Sequence, residues 1–99
     1  MKIIIIGDGK VGYKLARQLS TEKYDVVLID SDEKKLRFAT DHLYIACVAG
    51  NGADAEVLKQ ADIAHADLAI ACTSEDECNM LSCLIARKLG ARHTIARVR

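Results

Sequence analysis

The sequence contains no proline and no low-complexity stretch. Nothing in it marks a linker, and 99 residues are the length of one domain. Aromatic side chains are scarce: Tyr13, Tyr24, Phe38 and Tyr44 make up 4% of the chain. They are too few for the stacking surfaces of a single-stranded nucleic-acid binder. Net charge is missing as well, because 14 Lys and Arg stand against 14 Asp and Glu. A balanced chain offers no strongly basic face, which counts against nucleic acid as a partner. No apolar run reaches the length of a membrane span. The opening MKIIII is interrupted by glycine and charge too soon for a secretion signal. A cytoplasmic location is expected.

The four cysteines, Cys47, Cys72, Cys78 and Cys83, form no C-x-x-C pair, and His42, His65 and His93 are scattered. Metal ligands need closer spacing, so no metal site is expected and the thiols read as reduced and structural. No Ser-His-Asp or Cys-His constellation is visible, and the histidines fall at helix edges and strand starts. A dehydrogenase would need a proton donor or acceptor beside its nicotinamide and usually a second domain for substrate. No catalytic residue is expected.

What is present is a regular alternation. Hydrophobic residues form 51% of the chain and charged residues 28%, a globular balance. KIIIIG, DVVLID, LYIACVAG, ADLAIACT and HTIARV are short apolar runs read as strands. Between them, KVGYKLARQLSTEK carries Val11, Leu15, Ala16 and Leu19 at helical spacing. SDEKKLRFATD offers Ser31 as a helix cap, and ADAEVLKQADI reads as one short helix. SEDECNMLSCLIARKLG has Ser74 as cap, Glu77 in the capping-box position, and Gly90 closing the helix. Strands apolar on both faces and alternating with helices predict an α/β, Rossmann-like, doubly wound parallel sheet of five strands. The predicted order is 3-2-1-4-5, with helices on both faces.

The first strand runs directly into GDGKVG, with glycines at Gly7, Gly9 and Gly12. G-x-G-x-x-G alone is a weak signal, but here it follows a strand and opens a helix. Asp30 ends the second strand 18 residues beyond Gly12. In this setting Gly7 permits a tight turn, Gly9 lets a pyrophosphate approach the backbone, and Gly12 lets the helix pack close to the sheet. The open amides and positive end of the helix face the phosphates. Asp30 accepts from ribose hydroxyls and repels a 2′-phosphate, which favours NAD(H) or ATP/ADP over NADP. Lys34 and Lys35 would help NADP only if they turned inward. A Walker P-loop is excluded, since Lys10 lies inside the turn rather than after it.

Ligands of open α/β sheets sit at the carboxyl ends of the strands. There the third strand delivers Gly50 and Asn51, the fourth Thr73 and Ser74, and the fifth Arg97 with Arg99 nearby. Asn51 suits either a ribose or adenine contact or an ordinary loop cap. Thr73 suits either a phosphate or the cap of the following helix. Arg97 suits either a phosphate or a surface ion pair.

The run from MKIIIIGDGKVG through LIDSDEKKL, VAGNGADAEVL, TSEDECN and the final ARV resembles the TrkA-type potassium-uptake regulators. It is similar to their KTN or RCK N-terminal nucleotide-binding domain over essentially the whole chain. The resemblance implies a regulatory domain rather than an enzyme. Such a domain would bind NAD(H) or ATP/ADP and gate a membrane potassium transporter or channel. It would be homo-oligomeric, as a dimer or higher ring, and peripheral on the inner face of the cell membrane. Carried over by position, it implies Gly7, Asp8, Gly9, Lys10, Val11 and Gly12 at the phosphates, and Asp30 at the ribose. Asn51 and Gly52 would lie near the adenosine, Thr73 and Ser74 near the phosphate or distal sugar, and Arg97 at the phosphates. Asn79 would lie near the ligand or a subunit interface. The family usually has G-D-A-T where this chain reads Gly50-Asn51-Gly52-Ala53, so the adenosine side departs from the pattern. The family's module also continues into a sixth strand and a crossover helix. Residues 1–99 are accordingly expected to be one domain truncated after the fifth strand. The alternative from the residues alone is the cofactor half of an NAD-dependent oxidoreductase, and a third is an interaction module whose turn binds nothing.

Overall fold

The computed structural model describes residues 1–99. The elements follow in the order β1 (Lys2–Ile6), α1 (Lys10–Thr21), β2 (Asp25–Asp30), α2 (Glu33–His42) and β3 (Ala46–Ala49). Then come α3 (Ala55–Gln60), a single 3-10 turn (Ile63–His65), β4 (Leu68–Ala71), α4 (Asp76–Lys88) and β5 (His93–Ala96). The five strands form one parallel sheet in the order β3-β2-β1-β4-β5, as the alternation predicts.

The pleat of β1 explains its unbroken isoleucines. Ile4 and Ile6 face one core with Val27, Ile29, Leu58, Ala69 and Ala86. Ile3 and Ile5 face the other with Val26, Leu28, Ala16, Leu36 and Ala39. None of the four isoleucines is more than 2% exposed. A central strand covered on both faces has no polar side to alternate with. Each isoleucine side chain removed from water is worth about 1.5–3 kcal/mol.

Because all strands are parallel, their carboxyl ends line up along one edge, and the ladder continues beyond them. Gly7 donates to the Ile29 carbonyl at 2.7 Å, Gly50 to that of Asp30 at 2.9 Å, Cys72 to that of Ile6 at 2.9 Å, and Arg97 to that of Ala71 at 2.8 Å. The loops after the strands are thereby fixed at their first residue.

Several local expectations are corrected. Asp32, not Ser31, caps α2: its carboxylate accepts from the Lys34 and Lys35 amides. Ser74 does not cap α4, which begins after Glu75 without a side-chain cap. The hydroxyl that meets the Glu75 amide is that of Thr73, at 3.3 Å. The one short helix expected over ADAEVLKQADI splits into α3 and the 3-10 turn, with Asp62 between them at a left-handed φ of 66°. Gly90 follows α4 as expected. Its amide bonds Arg87 and that of Ala91 bonds Ala86, the Schellman pattern, with Leu89 as the last half-helical residue.

Candidate functional site

A cleft of about 640 Å³ crosses the carboxyl edge of the sheet. Ten of the twelve residues expected at a nucleotide site line it: Gly7, Gly9, Lys10 and Val11 from the turn, Asp30 from β2, Asn51 and Gly52 after β3, Thr73 and Ser74 after β4, and Arg97 just past β5. Gly12 and Asp8 are the exceptions.

Gly12 lies behind the cleft wall. A Cβ there would sit 1.7 Å from the Gly7 carbonyl oxygen, so its glycine serves the close crossing of α1 over the turn. Gly7 has a φ of +110°, which disfavours any side chain. Gly9 differs from both. Its φ is −88°, and a Cβ built on it meets nothing within 4 Å. The fold has room for a side chain at this position; the space in front of it belongs to the cleft.

Gly9 is also the cap position of α1, where no side chain bonds the first amides. The first turn of α1 carries no acidic residue, whereas α2 and α3 are capped by Asp32 and Asp54. The first amides of a helix need acceptors from outside it, and together they favour an anion. Four cationic side chains, Lys10, Lys35, Arg97 and Arg99, line the cleft against two carboxylates, Asp30 and Glu75. Lys35 was legible only conditionally, since a helical lysine reaches the cleft only where the first turn of its helix faces the mouth. That is how α2 is set.

Asp30 is held rigidly. Its Oδ2 accepts from the Asp8 amide at 2.7 Å and its Oδ1 from the Asp32 amide at 2.8 Å. A carboxylate has about four acceptor positions, so two remain for a ligand's hydroxyls. Asn51 behaves as a loop cap, its Oδ1 accepting from the Ala53 amide at 2.8 Å while the residue still lines the cleft. Gly52 is pressed against the sheet, where a Cβ would come 2.2 Å from Ile6 Cγ2.

Thr73 is organised by a residue outside the cleft lining. Asn79 on α4 is fully buried. Its Oδ1 accepts from the Thr73 amide at 2.8 Å and the Thr73 hydroxyl at 2.7 Å. Its Nδ2 donates to the carbonyls of Thr73 at 3.1 Å and Arg97 at 2.9 Å. The residue joins the ends of β4 and β5 to α4 from within. The resemblance already placed Asn79 near the ligand or a subunit interface, and the sequence itself showed an asparagine inside a helix, where such a side chain is unfavourable unless paired. Arg99 folds back, its guanidinium donating to the Ser74 carbonyl and its amide to Asp76 at 3.2 Å.

Asp8 is placed away from the large cleft. Its side chain turns toward a smaller hollow between the starts of α1 and α2, and it is 6% exposed. Burial, and then the neighbouring Asp30 charge, push its pKa up to about 6. Burial also raises the Cys47, Cys72 and Cys83 thiols, which keeps them protonated. Cys72 and Cys78 line the cleft. None of His42, His65 and His93 does, and His65 instead pairs with Asp62 at 2.7 Å.

This architecture, a glycine turn at the switch point of a doubly wound sheet with an acidic residue ending β2, defines a Rossmann-type domain. The model of the TrkA-N domain family matches residues 3–99, and the chain belongs to that family. It is 46% identical over 100 residues to the Trk system potassium uptake protein TrkA of Halomonas elongata, covering all of this chain and 22% of that protein. It is 39% identical over 98 residues to the TrkA homolog of Methanothermobacter thermautotrophicus, covering 99% of this chain and 45% of that protein. The chain thus spans less than half the length of these relatives.

Among solved structures it is similar to the NAD(P)-binding domain of an exopolyphosphatase-related protein from Archaeoglobus fulgidus (TM-score 0.85, 23% identity, 97% of this chain and 71% of that one). It is also similar to the GsuK channel (TM-score 0.77, 27% identity, 90% and 16%) and to that channel bound to NAD (0.77, 22%, 95% and 21%). A third likeness is to the Kef C-terminal domain of Shewanella denitrificans in an AMP-bound form (0.78, 20%, 96% and 57%).

Proposed function

We propose that this chain is the regulatory nucleotide-binding domain of a potassium transport system. It takes NAD(H) or ATP/ADP in the cleft and passes the difference between bound and free states to a membrane potassium transporter or channel. The observation that carries the reading is Gly9. The fold leaves room for a side chain there, and a glycine at this place in the turn lets a phosphate come close to the backbone. In this reading the pyrophosphate lies over Gly7, Gly9, Lys10 and Val11, against the open amides of α1. Asp30 takes the ribose hydroxyls, and Asn51 and Gly52 border the adenosine. Thr73, Ser74 and Arg97 meet the phosphates or the distal sugar. Lys35 is added to the expected set, beside Asp30. Gly12 supports the turn from behind without touching ligand.

The curated relatives support the potassium-transport assignment, and the NAD-bound channel and AMP-bound Kef domain support the ligand class. The regulatory rather than enzymatic role is supported by the relatives, which are named as potassium uptake proteins. Residues 1–99 act as one domain in this reading, assembling as a homo-oligomer on the cytoplasmic face of the membrane. Calorimetric titration with NAD+, NADH, ATP, ADP and NADPH tests it. At least one of the first four is expected to bind, with NADPH weaker because Asp30 meets its 2′-phosphate. Binding by none of them would overturn the reading.

A further inference from the structure

The proposed nucleotide site leaves one group unexplained. Asp8 lies between Gly7 and Gly9, in the backbone turn over which the phosphates would pass, yet its side chain turns the other way. It is 6% exposed, and its Oδ2 is buried without any hydrogen-bond partner. A buried carboxylate is normally paired or hydrogen-bonded.

The surroundings of Asp8 are mixed in charge. From the end of β2 comes Asp30, whose carboxylate already holds the Asp8 amide at 2.7 Å. From the start of α2 come Asp32 and Lys35, the acid raising and the lysine lowering the Asp8 pKa. From α1, Lys10, Tyr13 and Lys14 line the same hollow, which has a volume of about 460 Å³. From β3 and from just past β4 come the neutral thiols of Cys47 and Cys72, both raised in part by the Asp8 charge. No group donates to Oδ2.

We propose that anion binding at the glycine turn is proton-linked, with Asp8 taking up a proton from solvent when a nucleotide's phosphates seat on the turn. This rests on the nucleotide-binding reading and adds its regulation. The physical reason is short-range. An ionised Asp8 places a second negative charge beside Asp30, on the residue between the two glycines over which the phosphates would pass, in a buried position with weak screening. A neutral Asp8 removes that repulsion and lowers the cost of keeping Oδ2 buried without a donor. The free protein holds this proton with a pKa of about 6, so the added phosphate charge moves the transition toward neutral pH. The domain would then bind its ligand more tightly as the surrounding pH falls.

The test uses NAD+, whose phosphates and adenine do not titrate between pH 5.5 and about 7.5. Its affinity is measured across that range for the wild-type chain and for Asp8→Asn, with proton uptake read from calorimetry in two buffers of different ionisation enthalpy. If binding raises the Asp8 pKa by about one, affinity rises roughly sixfold from pH 7.5 to 5.5, with net proton uptake. Asp8→Asn, which mimics the neutral acid, binds as tightly at pH 7.5 as the wild type does at low pH, and its slope is flat. Wild-type binding that is independent of pH, without proton uptake, overturns the proton linkage and leaves nucleotide binding intact. A slope that persists in Asp8→Asn assigns it to another group and also overturns the proposal. If Asp8→Asn does not fold, the Asp8 carboxyl resonance of the wild type decides. It must titrate near pH 6 in the free protein and higher with NAD+ present. Absence of NAD+ binding at every pH overturns this inference, and the site itself falls only if NADH, ATP and ADP also fail to bind.

Discussion

Gly9→Ala and Gly12→Ala add the same methyl group three residues apart and should have opposite consequences. At Gly9 the new Cβ meets no atom within 4 Å, and the φ of −88° is ordinary for alanine. Restricting the unfolded chain stabilises by about 0.4–1 kcal/mol. Replacing glycine by alanine at a helix cap destabilises by about the same amount. The two nearly cancel, so the melting temperature should move by less than about 5 °C. At Gly12 the new Cβ would lie 1.7 Å from the Gly7 oxygen and 2.8 Å from its carbonyl carbon, both backbone atoms without a rotamer to escape into. Separating α1 from the turn should cost about 3 kcal/mol or more, a fall of roughly 12–24 °C in a domain of this size. Binding should sort differently. Gly9→Ala keeps the fold but puts a methyl where the pyrophosphate must approach, and should weaken NAD+ or ADP at least about tenfold, or about 1.4 kcal/mol. Scanning calorimetry with and without nucleotide, set beside titration calorimetry, reads both quantities. A Gly9→Ala protein that is stable and binds as well as the wild type would refute the assignment of Gly9 to the ligand.

Three further outcomes follow from the same geometry. Asp8→Asn should stabilise the free protein at pH 7 by up to about 3 kcal/mol, from a pKa of about 6 in the fold against an ordinary 3.8. Because the folded value is the raised one, wild-type stability falls as pH rises through about 4 to 6, so the mutant's advantage must vanish near pH 4 in denaturant melts at several pH values. Asn79→Ala strands the Thr73 amide and the Arg97 carbonyl in the interior and should destabilise by about 2–4 kcal/mol in urea. A loss under about 0.5 kcal/mol would mean water replaces it. Asp30→Ala should weaken NAD+ or ADP by about 1–3 kcal/mol, and it should also lower the melting temperature because the Asp8 and Asp32 amides lose their acceptor. Unchanged affinity in calorimetry would take Asp30 off the ribose.

The fold was legible because two simple constraints coincide. Strands apolar on both faces, interrupted by helices, admit little besides a covered parallel sheet, and its right-handed crossovers fix the order. Such a sheet brings every strand's last residue to one edge, so Asp30, Asn51, Thr73 and Arg97 were placed together without knowing any distance. What stayed hidden is decided by directions that spacing does not encode. Asp8 sits inside the motif, but the turn faces its side chain away from the ligand side. Asp32 rather than Ser31 caps α2 because Asp30 binds the Asp32 amide and so sets where the helix can begin. Ser74 lost the expected cap because Asn79 holds Thr73 in the position from which its own hydroxyl meets the Glu75 amide. In both capping cases a side-chain hydrogen bond from a residue two to six positions away, rather than the propensity of the cap residue itself, made the choice.

Asn79 also indicates how occupancy of the cleft would be felt elsewhere. A regulatory ligand must favour one arrangement of the protein over another, and that preference has to travel through rigid contacts. The side of the cleft beyond β4 and β5 is built from Thr73 and Arg97, which have no covalent connection shorter than α4 and β5. Both are tied to α4 through one fully buried side chain. A displacement of either loop therefore either breaks a hydrogen bond in the interior or moves α4. Breaking one there costs about 1–3 kcal/mol, comparable to the whole of a typical coupling energy, so moving the helix is the cheaper response. The outer face of α4 carries Met80, Leu81 and Leu84, each about half exposed, with Ile95 and Val98 on the adjoining edge. The element that Asn79 would pull on is thus the one that presents the largest group of exposed apolar side chains. If the coupling runs through it, Asn79→Ala should uncouple nucleotide binding from hydrogen-exchange protection along Asp76–Lys88 while Gly9, Lys10 and Asp30 still bind the ligand.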